Sequence, residues 1–264
     1  MADRRKTGRL TQERGVSESI GFILIFSLVV TGIGIVTLYG YPLLMKQQMG
    51  TDIRIMEKTF IVLQNDIKSL VYKNVPYKET SLKVGGGMLF ARNNSETPQT
   101  LTVYVNGLPA TGPFNSFSPG ELRFDADLGD TVIVLENGAV ITAGKTGGGS
   151  TMLAEPRWYY DDQTGTFVIS LIRFRTEGPV SRTGVGTIGL RETCVNYTEI
   201  AVSPAGDASV QYTQDPENDY SVAWDAYFTQ TLGLSTDPFG YGYRLPTGTS
   251  RIVVKEYTIE ILSL

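Results

Sequence analysis

The chain has 264 residues, a net charge of −4, one cysteine and no histidine. The missing histidine excludes Ser-His-Asp and Cys-His catalysis and every histidine-containing zinc site, and a single cysteine excludes an intrachain disulfide. The first 15 residues carry five basic and two acidic side chains, which leaves −7 on the remainder; that acidic body lacks the basic patch a nucleic-acid partner requires and suits a solvated surface domain.

Residues 1–15 form a short basic leader with Arg4, Arg5, Lys6, Arg9 and Arg14. Behind it, residues 19–45 contain no charged side chain. About 20 apolar residues suffice for a helix to cross a bilayer, and such a helix satisfies its own backbone hydrogen bonds. The side with the basic residues is read as cytoplasmic. Everything after Met45 is then outside, and the lipid bilayer is a partner.

Residues 16–72 are predicted as one long helix with two halves, a span over 20–44 and an amphipathic extension over 46–72. The span is apolar on all sides. Its Gly21, Gly32, Gly34 and Gly40 allow close helix approach, and Pro42 predicts a kink. In the extension, Ile53, Met56, Phe60, Leu63, Ile67 and Leu70 recur at alternating spacings of three and four. That is a heptad seam. Two partners suit it, the protein's own β domain or copies of the same helix. Pro76 marks the end of the helix.

Residues 75–264 are read as a β-rich head, so the fold class is α+β: a long N-terminal helix followed by a β-sandwich-like, mostly antiparallel domain. Predicted strands fall at 82–84, 88–92, 101–105, 121–124, 131–135, 140–142, 158–160, 166–175 and 251–262. Asn137-Gly138 is a hairpin turn between two of them. One short helix is predicted over 220–232, with Asp219 as N-cap and Gly233 just past its end; Trp224, Phe228 and Leu232 share one of its faces.

The remaining motifs are weak. Residues 184–189 spell GxGxxG, but the segment that follows has no helical period, so the dinucleotide reading yields to a glycine-rich loop or strand edge. Gly85-Gly86-Gly87 and Gly147-Gly148-Gly149 are read as flexible turns or linkers. Asp125, Asp127 and Asp130, Asp161-Asp162, and the acidic stretch from Asp215 to Asp219 are read as solvated turns, since none has calcium-loop spacing. No cofactor or metal is called. Cys194 is expected to be a small buried hydrophobe. Asn93 and Asn196 open N-x-Ser/Thr sequons and are candidate glycosylation sites.

An ordinary secretory signal has a shorter apolar stretch and a small-residue cleavage site after it. Here the small residue, Gly15, comes before the run. Arg14-Gly15 followed by Val16-Ser17-Glu18-Ser19-Ile20-Gly21 and then the apolar helix resembles the class III signal peptide of archaeal type IV pilin-like proteins. The resemblance covers roughly the first 45 residues, and the helix-then-β layout extends it loosely over the whole chain. It implies cleavage between Gly15 and Val16 by a prepilin peptidase. It also implies self-association, or association with other pilin-like subunits, through the N-terminal helix. Glu18 is third after that bond, whereas the familiar bacterial pilin glutamate is fifth. Its role in assembly, pairing with a neighbour's freed amine, is one reading; a place at headgroup level is the other.

The function expected is therefore non-catalytic: a single-pass cell-surface protein, as a filament subunit or a minor or tip pilin in adhesion or surface assembly. The alternative is a membrane-tethered β domain that binds a carbohydrate or protein ligand without forming filaments. A hydrolase using paired carboxylates is the third reading; Trp158, Tyr159 and Tyr160 beside Asp161 and Asp162 are read either as lining a sugar site or as core and strand-edge residues. A hydrolase requires a concave site with two facing carboxylates.

Overall fold

The computed structural model describes residues 10–73, 75–112, 115–147, 149–177 and 180–264, with side chains described from Ser19 onward. The chain divides into two units, one running to Thr51 and the other from Asp52 to Leu264.

In the first unit, α1 (Leu10–Ile35) starts ahead of the expected residue 16. Residues 10–14 contain neither proline nor glycine, so nothing there stops a helix. A single π turn, Val36–Gly40, follows, and α2 (Tyr41–Lys73) begins directly after it. The Tyr41 N–H donates to the Val36 carbonyl, five residues back. In place of the kink expected at Pro42, the helix widens into a π-bulge. Proline has no N–H for the carbonyl four residues back and its ring crowds that carbonyl, and the wider turn absorbs both defects.

Among its described residues the second unit holds fourteen strands. The strands β1 (Tyr77–Arg92), β2 (Thr100–Val105), β3 (Leu108–Pro109), β4 (Glu121–Ala126), β5 (Thr131–Glu136), β6 (Ala139–Gly144) and β7 (Ser150–Ala154) come first. They are followed by β8 (Tyr159–Asp161), β9 (Thr166–Thr176), β10 (Val180–Ala201) and β11 (Ala208–Thr213). A short helix α3 (Ser221–Ala226) precedes β12 (Ser235–Thr236), β13 (Tyr243–Arg244) and β14 (Arg251–Ser263). Nine strands form one sheet in the order β7-β6-β5-β4-β1-β10-β14-β9-β8, and five form a second in the order β12-β13-β11-β2-β3. Pairing is antiparallel except between β9 and β14.

The large sheet is covered on both faces. Val132, Val134, Ile141, Ile169, Ile252 and Val254 join a core with Leu101 and Val210 of the small sheet and Trp224 of α3. Ile133, Leu135, Ile172, Phe174, Ile259 and Ile261 face the other way, into a core built with Met56, Phe60, Leu63, Ile67 and Leu70 of α2. Successive residues of a strand point to opposite faces, so β5 is apolar at every position from Val132 to Leu135 because both faces are covered. The expected two-layer sandwich thus has a third layer, the second half of α2. That answers the question left by the seam: from Met56 to Leu70 it packs on the protein's own sheet. Each of these fully buried side chains is worth about 1.5–3 kcal/mol of transfer free energy.

Other expectations sharpen. Strands predicted at 82–84 and 88–92 are one strand, β1, and Gly85-Gly86-Gly87 is an irregularity within it rather than a linker. A Cβ on Gly85 would lie 3.3 Å from the Asp52 carboxylate, and one on Gly87 2.3 Å from the Asp125 carbonyl oxygen. The close approach of β4 requires glycine at 87, while at 85 the helix side chain leaves only a tight fit. Asn137 (φ 47°) and Gly138 (φ 76°) make the predicted hairpin turn. The predicted helix over 220–232 is α3 followed by a π turn, Tyr227–Thr231. The helix starts one residue later than expected, so its N-cap is Tyr220 and not Asp219; Asp219, one residue ahead of the cap, accepts the Ser221 N–H at 2.8 Å, and Gly233 follows the π turn with φ 65°. Trp224 and Phe228 are buried and Leu232 packs against the same core.

Candidate functional site

Three features stand out: the apolar helix of the first unit, a groove beside α2 in the second, and a buried carboxylate pair. From Ile20 to Leu44 every large apolar side chain is at least half exposed, reaching 75% at Leu28 and Tyr39. This stretch belongs to the one helical segment among the described residues that is long and apolar enough to cross a membrane. Exposed apolar surface on that scale is what a candidate membrane-crossing helix presents. Gly15, Val16 and Glu18 lie on the helical backbone of α1, but their side chains fall outside the described ones.

The groove is open, has a volume of about 810 Å³, and runs between α2 and β7 with the segment after it. Asn65, Lys68, Ser69, Tyr72 and Lys73 form one wall; they recur at helical spacing along one face of α2. The opposite wall runs from Met152 to Trp158. Lys68 Nζ donates to Gln64 Oε1 at 3.1 Å. Gln64 Nε2 is itself anchored on the carbonyls of Gly138 and Glu155 at 2.7 and 2.9 Å. The Arg157 guanidinium lies 4.7 Å from the centroid of the Tyr72 ring, a cation–π contact. Burial and then the charge of Arg157 push the Lys68 pKa down, against the pull of Glu155.

The carboxylate pair is Glu121 on β4 and Glu136 on β5, both with 0% exposure. Gln99 Nε2 bridges them at 3.3 and 3.0 Å. Arg92 binds Glu121 at 2.5 Å and reaches Asp215 at 3.4 Å. The Trp224 indole N–H donates to Glu136 at 3.0 Å. Burial and then the Glu121 charge push the Glu136 carboxyl up to about 8. Glu121 is also raised by burial, with Arg92 opposing. Sealed from solvent, the pair joins the large sheet to α3 and to the segments that carry Gln99 and Asp215 through hydrogen bonds, and no substrate reaches it in this form. Nothing in the local sequence marks these two glutamates as partners.

The other predicted residues disperse. Trp158 is buried, donates to the Ser170 carbonyl at 2.9 Å and packs against Trp224 and Phe228, while Tyr159 is 48% exposed. They do not form one aromatic face. Asp161 accepts from Thr164 and the Gln163 N–H, which lowers its pKa. Asp125 pairs with Arg123 at 2.6 Å, and Asp130 holds Thr146. Among the described residues no group of three or more Cys, Asp or Glu is placed to hold a metal. The GxGxxG glycines lie inside β10, where residues 184–188 pair with β1 alone and no helix follows. Residues 189–191 pair on both sides, so only part of the motif is a strand edge.

Cys194 is exposed, contrary to expectation. A register shift between Glu192 and Cys194 sets Cys194 opposite Thr258 rather than on the face of Ile259. Neither core covers this stretch of β10, since Val195 and Tyr197, on the opposite face, are exposed as well, at 53% and 60%. The sequons differ in setting. Both amide atoms of Asn93 are engaged with the Thr176 backbone, at 2.7 and 3.3 Å, whereas Asn196 is exposed on β10.

No curated protein and no solved structure matches the chain. The profile of one family does, over residues 14–259, which takes in the apolar helix and the β domain together. The chain belongs to that family, DUF7289, a family of unknown function.

Proposed function

We propose that this is a non-catalytic, membrane-anchored cell-surface protein of the type IV pilin-like kind. Its N-terminus is cytoplasmic and its β domain external. The carrying observation is the contrast along the helical segment. Large apolar residues from Ile20 to Leu44 are at least half exposed, while Met56, Phe60, Leu63, Ile67 and Leu70 are buried in the β domain. The second group is satisfied within the chain; the first needs lipid before assembly and other subunits' helices after it. The basic leader, the Gly15–Val16 bond and the helix-then-β layout support the same reading. In it a prepilin peptidase cuts after Gly15, and Glu18 lies near the new N-terminus as the residue that meets a neighbouring subunit.

N-terminal sequencing of the mature protein tests this. The expected first residue is Val16, with filaments visible by electron microscopy of sheared surface material. A mature chain beginning at Met1 would overturn the processed-pilin reading and leave a plain signal anchor.

A further inference from the structure

The groove beside α2 combines two features that separately mean little. The first is charge. Lys68, Lys73 and Arg157 line one groove in a β domain that is otherwise acidic. Among the described residues none of the three forms an ion pair. Two are held in place: Lys68 by Gln64, and Arg157 by the Tyr72 ring. Glu155, on the opposite wall, accepts from the Thr231 hydroxyl at 2.7 Å. Among the described residues Glu155 is the one carboxylate that lines the groove, and it pulls on Lys68; three cations against one carboxylate leave an excess of positive charge that favours an anionic ligand.

The second feature is backbone. The wall opposite α2 includes Met152, Leu153 and Ala154 of β7, and β7 is an edge strand whose one sheet neighbour is β6. An edge strand offers unpaired N–H and C=O groups along its outer side. An extended polypeptide can pair with them, and a sugar chain has no matching ladder. The groove's aromatics point the same way. The Tyr72 ring is occupied by Arg157, and Trp158 is 5% exposed, so neither presents a free face to a sugar ring.

We propose that this groove binds an extended acidic polypeptide segment, which adds to the large sheet alongside β7 while its carboxylates meet Lys68, Lys73 and Arg157. The inference does not depend on processing at Gly15 or on filament formation. The backbone ladder supplies affinity, and the three cations select sequence and direction.

Fluorescence anisotropy on the full chain in detergent micelles tests it, with a short labelled peptide of alternating glutamate and threonine as probe. Saturable, salt-sensitive binding is expected. Arg157→Glu and Lys73→Glu, both at exposed positions, are each expected to weaken it about tenfold, as loss of a close charge pair does. The same peptide N-methylated at alternate residues is expected not to bind. Equal binding by the charge-reversed chains, or by a lysine-threonine peptide, would overturn the charge argument. Undiminished binding of the methylated peptide would overturn strand addition. Binding of an acidic polysaccharide such as alginate, with none of the peptide, would overturn the choice of ligand class.

Discussion

Gln64 Nε2 lies 2.7 Å from the carbonyl oxygen of Gly138, across 74 residues of sequence. This bond ties α2 to the β5–β6 turn, whose Asn137 Oδ1 in turn accepts the Ile172 N–H at 2.7 Å. A turn that usually faces water is here wedged between a helix and a strand. Gln64→Leu leaves the Gly138 and Glu155 carbonyls without that donor. The expected cost is about 1–3 kcal/mol, read from urea unfolding in detergent. Trp158 and Trp224, both in the β-domain core, supply the fluorescence signal. An unchanged midpoint would sink the idea that this bond matters.

The seam of α2 belongs to the β domain, so its truncation must register there. Phe60→Ala and Leu63→Ala are expected to destabilise the domain by about 2–5 kcal/mol each. Val62, on the same helix, is 49% exposed, and Val62→Ala should stay within about 0.5 kcal/mol. If all three behave alike in the same unfolding assay, the helix is not docked as described.

Glu136 predicts a pH dependence with a definite sign. Its carboxyl is pushed from 4.5 up to about 8, by burial first and by Glu121 second. The folded state therefore keeps a proton that the unfolded chain releases at lower pH, and stability falls as pH rises from about 4.5 to about 8. Glu121, raised in the same direction, adds to the slope. Glu136→Gln keeps a neutral side chain at every pH and should flatten the profile without abolishing it. Unfolding midpoints at several pH values check this; a variant with the parent slope refutes it.

Cys194, exposed on β10, should react with a maleimide in native buffer as fast as in denaturant. Protection in the folded protein would show that this stretch of β10 is covered rather than open.

Leu28, 75% exposed in the apolar helix, tests the membrane reading. Leu28→Asp adds a carboxylate to the span at about 2.5–3.5 kcal/mol on insertion scales. A larger fraction released by alkaline carbonate wash is expected. Equal retention of both proteins would argue that lipid does not solvate this helix.

The parts legible in the sequence are those set by neighbours in the chain. An uncharged stretch from residue 19 to 45 is a membrane-compatible helix by composition alone, because its backbone bonds close within four or five residues. Asn137-Gly138 declares its turn because few other residues accept two positive φ angles in succession. Pro42 announces a defect, although a proline does not say whether the helix bends or widens.

What tertiary structure alone decided depends on partners far away in sequence. The seam from Ile53 to Leu70 suits either a sibling helix or a sheet, and only the assembled sheet, with Ile133 and Ile259 on that face, selects the second. Cys194 looked like core material because its residue type is; neither core extends over its stretch of β10, where Val195 and Tyr197 are exposed too. Glu121 and Glu136 look like ordinary strand acids until two sheets and α3 close over them. Lys68 and Arg157 become a pair only when α2 lies beside β7. In each case the chemistry comes from which face is covered and by what, and that is fixed by pairings between distant segments rather than by local pattern.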